Sequence, residues 1–305
     1  MKPSIFIAMP CYDSIKINSM LSIFKLIQQL GKSGIEVGIQ TMKSPLIHQA
    51  RNYLTSVFLT TEYTHLLFID SDVEFEPESV LKMLVAKKNI VCTPYRVKSA
   101  DVNQHMYTVE FKNPKNIIIL AGGLIEIEAG PTGLMLIDRK VFEKIIKNHP
   151  DLKIRNKVMP NPGISHKFYY NFFNFGFIDG YAMGEDVSFC KLARGDGFKI
   201  YANIESPTGH HGSFAWRGMF GESLKSIKPE GNLSTGKWKE KNDRKTHDKL
   251  LLQVGRQEAQ AALWSEYGYA VWVHGEEHGE LVQKVLGCFQ EWLAYSEEPM
   301  ENITS

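Results

Sequence analysis

The stretch that most constrains the fold is Thr64–Val73, Thr-His-Leu-Leu-Phe-Ile-Asp-Ser-Asp-Val. Leu66 to Ile69 form an unbroken apolar run that includes a β-branched residue, the pattern of a strand buried on both faces. The run stops at Asp70 and Asp72, two carboxylates one residue apart. A buried parallel strand has no reason to end in two close negative charges unless something positive sits beside them. At the C-terminal edge of an open α/β sheet that partner is commonly a ligand or a metal. Hard divalent cations take carboxylate oxygens and leave positions for diphosphate oxygens. A solvated strand-to-helix turn, with Asp72 or Glu74 starting a helix near Pro77, explains the same residues without chemistry.

Around that stretch, strands and helices alternate. Ser4–Met9, Ile35–Gln40 and Asn89–Thr93 read as strands, and Ile15–Leu30, Pro45–Leu59 and Pro77–Lys87 as helices. This alternation predicts βαβ units and a mainly parallel sheet flanked by helices. Arg96 to Asn116 is polar and irregular and reads as a loop over the sheet edge. Ile117–Leu120, Leu124–Glu128 and Leu134–Ile137 read as further strands, and Val141–Asn148 as a short helix. His149–Ser165, rich in Pro and Asn, reads as a surface loop. Phe168–Phe177 is strongly aromatic; most of its rings read as core, with one or two free to stack on a sugar or base. Gly184-Glu185-Asp186 opens a helix, and Pro207–Ser213, which contains His210 and His211, reads as a glycine-rich turn after strand Phe198–Ala202.

Composition narrows the class. The chain has 305 residues, 43% of them hydrophobic, enough for one large core with an appendage. Net charge is +1, so nothing global points to nucleic acid or an anionic membrane. The 4 cysteines are far apart and form neither a zinc nor a disulfide framework, which points to a reducing compartment. The N-terminal apolar stretch is too short for a secretory signal, and no run reaches transmembrane length, so a cytoplasmic protein is expected. Three regions are expected: a folded domain over 1–220, a charged linker or flap over 221–249, and a helical extension over 250–305, where lysine and isoleucine become scarce.

Three separated features can serve one chemistry. Asp70/Asp72, Glu185-Asp186 and His210 supply carboxylates and an imidazole for a divalent cation, plus a carboxylate that could accept a proton. Each has a duller explanation. Acidic residues are favoured at helix N-termini by capping and the dipole, and histidines beside glycines are commonly solvated turns.

Over about Ser4 to Gly218 the order of these features resembles a nucleotide-sugar-dependent glycosyltransferase of the GT-A fold, family 2-like or Anp1-like, including virus-encoded members. Met9-Pro10-Cys11-Tyr12-Asp13 resembles the first-strand loop that holds the donor nucleoside. Ala50-Arg51-Asn52 resembles the Ala-Arg-Asn near the donor base and diphosphate, and Phe68-Ile69-Asp70-Ser71-Asp72 the Asp-x-Asp signature. Gly130-Pro131-Thr132-Gly133 resembles the small-residue strand entry beneath the sugar, although Pro131 interrupts the usual run. Gly184-Glu185-Asp186 resembles the acceptor-facing Glu-Asp helix, and His210-x-Gly212 the late His-x-Gly of the metal site.

The resemblance implies a donor site of Pro10, Cys11, Tyr12, Asp13, Arg51, Asp70, Ser71 and Gly133. It implies Mn²⁺ or Mg²⁺ held by Asp72 and His210, with Asp70 on the metal or ribose, and a catalytic pair of Asp186 and Glu185. The implied partners are a nucleotide-sugar donor, UDP preferred and GDP possible, and a hydroxyl acceptor: a glycan, a small molecule or a modified nucleobase. His211 remains open as the ligand in place of His210, and inverting and retaining chemistry both remain open. A non-catalytic nucleotide-sugar or carbohydrate-binding protein on the same scaffold is the alternative, but it would not need Glu185-Asp186. A sugar nucleotidyltransferase would want a basic glycine-rich loop after the first strand, which Pro10–Asp13 lacks.

Overall fold

The structure is a computed structural model that describes residues 2–101, 105–114, 117–155, 166–178, 180–226 and 234–235. Chain contacts divide the protein into Met1–Arg256 and Gln257–Ser305, and every described residue belongs to the first unit. The expected extension over 250–305, and most of the expected linker over 221–249, lie outside the described residues.

The chain opens with β1 (Ser4–Cys11), α1 (Ile17–Lys32), β2 (Glu36–Lys43) and α2 (Ile47–Leu59). Then come β3 (His65–Ile69), β4 (Val73–Phe75), α3 (Pro77–Val85) and β5 (Ile90–Cys92). Short strands β6 (Glu110–Phe111) and β7 (Ile118–Leu120) precede β8 (Leu124–Ala129), β9 (Leu134–Asp138) and α4 (Arg139–Asn148). A hairpin of β10 (Gly176–Ile178) and β11 (Tyr181–Met183) leads into α5 (Glu185–Gly195). The last elements used below are β12 (Ile200–Asn203), β13 (Pro207–His211), β14 (Ala215–Met219) and α6 (Phe220–Ser226).

The main sheet runs β7-β8-β12-β5-β9-β3-β1-β2, with β6 on β8. β2, β1, β3, β5 and β12 point one way, and β8 and β9 run against them. The mainly parallel α/β sheet flanked by helices that the sequence leads one to expect is the fold observed. Its strands carry the reason. Ile5 to Met9 of β1 and Leu66 to Ile69 of β3 are buried without a break, as strands covered on both faces must be. Phe68 and Phe58 belong to the apolar cluster on one face, and Leu67, Ile69, Leu26 and Leu30 to the cluster on the other.

Helix boundaries follow local chemistry. The Asp138 side chain accepts from the Lys140 backbone N–H at 2.9 Å and starts α4. Pro77, at the first position of α3, loses no helical hydrogen bond there. α6 carries Phe220 and Leu224, both buried. Because β9 enters the sheet against β3 and β5, its first residues meet their last ones. The Asp70 backbone N–H donates to the Gly133 carbonyl at 2.8 Å, and the Thr93 N–H to the Leu134 carbonyl at 2.9 Å. The C-terminal edges of β1, β3 and β5 therefore share one rim with the start of β9.

Candidate active site

Asp70 ends β3 and is enclosed. One Oδ lies 2.8 Å from Nη2 of Arg51, and the other accepts from the Tyr95 hydroxyl at 3.2 Å. A Cβ at Gly133 would collide with both that carboxylate and the Tyr95 hydroxyl, so glycine is required there for space. Arg51 rises from α2 and is 2% exposed. Its Nε donates to Glu185 at 3.3 Å, so one guanidinium ties the end of β3 to the start of α5. Its Nη1 is buried without a partner. Burial pushes the Tyr95 phenol well above its ordinary pKa, and the negative charges of Asp70, Asp186 and Asp72 push in the same direction. Those carboxylates and Arg51 thus surround one buried phenol.

Asp72, two residues on, is in different surroundings. His210 Nε2 lies 3.5 Å from one of its carboxylate oxygens, and Lys98 Nζ pairs with the other. His210 Nδ1 lies 2.8 Å from the Arg96 carbonyl. A carbonyl only accepts, so Nδ1 carries the proton, and Nε2 is the nitrogen directed at Asp72. That arrangement suits a metal-ligating histidine oriented by a backbone carbonyl. The Tyr95 ring packs edge-on against His210 with centroids 4.7 Å apart. Burial acts to raise the Asp72 carboxyl, but hydrogen bonds and charge from His210 and Lys98 outweigh it and bring the pKa down to about 2.

The glycine-rich turn expected at 207–213 is instead strand β13, paired with β4 and β14. Gly209 and Gly212 suggest a turn, but a Cβ at Gly209 would crowd Glu74 and Arg217, and one at Gly212 would press on Trp216. These glycines permit close side-chain packing within a ladder. The strand also separates the histidines. His210 faces Asp72, while His211 Nε2 lies 2.8 Å from Glu74, which also accepts from Arg217 at 2.9 Å.

One carboxylate and one imidazole nitrogen fit Mn²⁺ or Mg²⁺ whose remaining positions are filled by water or phosphate oxygens. Among the described residues no group of three or more His, Cys, Asp or Glu stands together as a metal cage. A cation here would depend on oxygens brought by a ligand.

Asp186 lies in the first turn of α5 and accepts from the Val187 backbone N–H at 2.8 Å. The helix dipole should keep such a carboxylate acidic. Burial instead raises its pKa, the neighbouring Glu185 adds to the rise, and the Val187 N–H and Arg51 only partly offset it. The result is a carboxylate more basic than an exposed aspartate.

The β1 loop is the open part of the rim. Tyr12 is 72% exposed, and Asp13 forms a surface pair with Lys43 at 3.1 Å. The Lys16 backbone N–H donates to the Ser71 carbonyl at 2.8 Å, which places the loop beside the Asp70-Ser71-Asp72 turn. Cys11 donates to the Ser14 carbonyl at 3.4 Å. The aromatic stretch divides as the sequence suggests: Tyr169, Tyr170, Phe172 and Phe173 are core, while Phe175 is exposed and stacks on His48.

The structure thus brings together Asp70, Arg51, Glu185 and Gly133 on one side and Asp72 and His210 on the other. Arg51, expected against the donor, is buried and directs two of its nitrogens to carboxylates. Asn52 of the same triplet exchanges hydrogen bonds with Phe173, donating to its carbonyl at 3.2 Å and accepting its N–H at 2.9 Å. Sequence reading missed Tyr95, Arg96 and Lys98. They follow β5, so the rule that ligands gather beyond strand ends was the available signal.

No family model and no curated protein matches the chain. Among solved structures, it is similar to A197 from STIV, with 18% identity over 78% of this chain and 99% of that one, at a TM-score of 0.41. It is also similar to a glycosyltransferase involved in glycosylation of the major capsid of PBCV-1, with 14% identity over 52% of this chain and 71% of that one, at a TM-score of 0.29. A third is GalNAc-T7 solved with UDP, GalNAc and Mn²⁺, with 10% identity over 68% of this chain and 44% of that one, at a TM-score of 0.38. At these identities and TM-scores the similarities assign neither activity nor ligand. Among the described residues no helix is long and apolar enough to cross a membrane.

Proposed function

We propose that the chain is a metal-dependent glycosyltransferase that moves a sugar from a nucleoside-diphosphate sugar, UDP preferred and GDP possible, to a hydroxyl acceptor. The observation that carries this reading is the meeting of Asp72 with His210 Nε2, 3.5 Å apart, near the half-buried carboxylate of Asp186. Asp72 and His210 would hold Mn²⁺ or Mg²⁺, and a cation there would neutralise charge on the leaving diphosphate.

The chain's own groups supply the rest. Cys11, Tyr12, Asp13 and Ser71 form the open wall suited to a nucleoside, with Pro10 buried near the end of the strand beneath them. Asp70, aimed by Arg51 and Tyr95, takes the ribose or reaches the cation through water. Gly133 lets Asp70 and the Tyr95 hydroxyl close over the strand entry, where they would face the sugar. Asp186 accepts the proton of the attacking hydroxyl if the enzyme inverts, and orients sugar or acceptor if it retains. Glu185 keeps Asp186 basic by charge, and Arg51 limits that effect. Arg51 itself serves as the tie between Asp70 and Glu185 rather than as a donor contact. Exposed Tyr181, on the hairpin entering α5, and exposed Phe175 offer ring faces to an acceptor.

A thermal-shift screen tests the donor class, because a ligand that binds only the native state raises the midpoint. UDP with Mn²⁺ is expected to raise it clearly, and Mn²⁺ alone only slightly, since the metal needs phosphate oxygens. If neither UDP nor GDP shifts the midpoint with Mn²⁺ present, the donor class is wrong.

A further inference from the structure

Lys98 lies between two anchored carbonyls. The Arg96 carbonyl accepts from His210 Nδ1 at 2.8 Å, and the Ser99 carbonyl accepts from Trp216 Nε1 at 3.1 Å. Both anchors therefore belong to the β13–β14 hairpin that carries His210. The Lys98 stem passes Gly212, where a Cβ would approach its Cδ to 3.4 Å. Its ammonium ends on the Asp72 oxygen that His210 does not face. The backbone is held on both sides while the side chain remains 34% exposed at its tip.

We propose that Lys98 is a diphosphate-binding residue that rests on Asp72 when the site is empty, and that its ammonium and a divalent cation compete for that carboxylate. The proposal deepens the transferase reading and rests on it for the source of the diphosphate. A partly exposed lysine–carboxylate pair is worth little net, so it is exchangeable. A doubly charged cation holds a carboxylate oxygen more strongly than one ammonium does. Displaced, the ammonium stays tethered by its four-carbon stem, within reach of whatever the cation binds. Phosphate oxygens are that partner, since protein supplies only Asp72 and His210. Lysine suits the task as a compact charge with rotatable donors. Resting on Asp72 also spares the empty site an unpaired carboxylate.

The test compares wild type, Lys98→Met and Lys98→Arg by calorimetric titration with three probes: Mn²⁺ alone, UDP in saturating Mn²⁺, and pyrophosphate in saturating Mg²⁺. Lys98→Met should bind Mn²⁺ alone about three- to tenfold tighter, since it removes a competitor of roughly that strength. The same variant should bind UDP and pyrophosphate about tenfold more weakly, and Lys98→Arg should recover most of that loss. A residue of merely structural importance would weaken all three together. Mn²⁺ affinity that is unchanged or lower in Lys98→Met overturns the competition, and unchanged pyrophosphate affinity overturns the phosphate role. A wild type that takes neither Mn²⁺ nor pyrophosphate overturns both. If pyrophosphate behaves as expected while UDP and GDP bind to neither protein, Lys98 keeps its role and the nucleotide-sugar reading fails.

Discussion

Asp70 and Asp72 belong to one motif, yet they stand in contrasting regions. Asp70 is closed in by Arg51, Tyr95 and the chain at Gly133, and its partners are themselves buried. Asp72 faces a half-open cluster whose partners are a histidine directed at it through Nε2 and a lysine that can leave. Two carboxylates with the same side chain are thereby divided into a fixed wall and an exchangeable ligand. Identity in a motif does not assign a role; the permanence of the surrounding charges does.

The largest expected effect lies on the closed side. Arg51→Met leaves Asp70 and Glu185 without their shared cation, and breaking a buried ion pair costs about 3–5 kcal/mol. Urea unfolding should show that loss, with Arg51→Lys intermediate. A loss under about 1 kcal/mol would place Asp70 with the exchangeable side.

Next in size is Asp186→Asn. Transfer should fall by about two orders of magnitude, the scale of a lost general base, while UDP–Mn²⁺ affinity stays near wild type. Near-wild-type turnover would remove Asp186 from the chemistry, and loss of nucleotide binding would make it a helix cap. In the wild type, the acid limb of the rate profile should lie above the ordinary aspartate range, because the raised Asp186 must be deprotonated to accept a proton.

The open side gives the third effect. Asp72→Ala should weaken Mn²⁺ binding in the presence of UDP by at least about tenfold, the scale on which groups at metal sites matter. Asp70→Asn should change it less; equal losses would erase the contrast between the two aspartates.

The smallest effect is on stability against pH. The folded-state pKa of Asp72 is depressed to about 2, so its stabilisation is complete above the unfolded value near 4 and is lost as pH falls toward 2. Asp72→Asn should flatten that decline by on the order of 1 kcal/mol, a figure reduced for partial solvent screening. A decline identical in both proteins would mean that Lys98 and His210 do not hold Asp72 in solution.

What could be read from the sequence followed from periodicity. Leu66–Ile69, ending in Asp70, announces a buried strand and its rim, and Gly184-Glu185-Asp186 a helix start. Contacts were not legible in the same way. Nothing in Ala50-Arg51-Asn52 says that its guanidinium turns inward to Glu185, because that pairing depends on how α2 and α5 meet across the sheet. Asp186 looks like an ordinary N-terminal acid until its burial is known. Lys98 sits in a polar stretch that reads as solvated loop, and its pairing with Asp72 depends on the β13–β14 hairpin that anchors the backbone on either side of it. β4 is three residues long, too short for alternation to reveal, and it is the strand that converts Pro207–His211 from a turn into a ladder.

That ladder has a consequence for how the chain can tolerate change in length. His210 pairs opposite Val73, and the preceding connection is tied by Asn203, which donates to the Ser206 hydroxyl at 2.7 Å and accepts the Glu205 N–H at 3.1 Å. Side chains in a strand alternate faces, so a slip of one residue would turn His210 away, bringing His211 round to Asp72 in one direction and Gly209 in the other. A single histidine would make such a slip fatal to the cluster. The doubled one keeps an imidazole on the aspartate side after a slip that brings His211 opposite Val73, though not after the opposite slip. Losing one residue between Asn203 and Pro207 would then bring His211 to Asp72 rather than empty the position, whereas gaining one would bring Gly209 there, so the constellation tolerates a shorter connection and not a longer one.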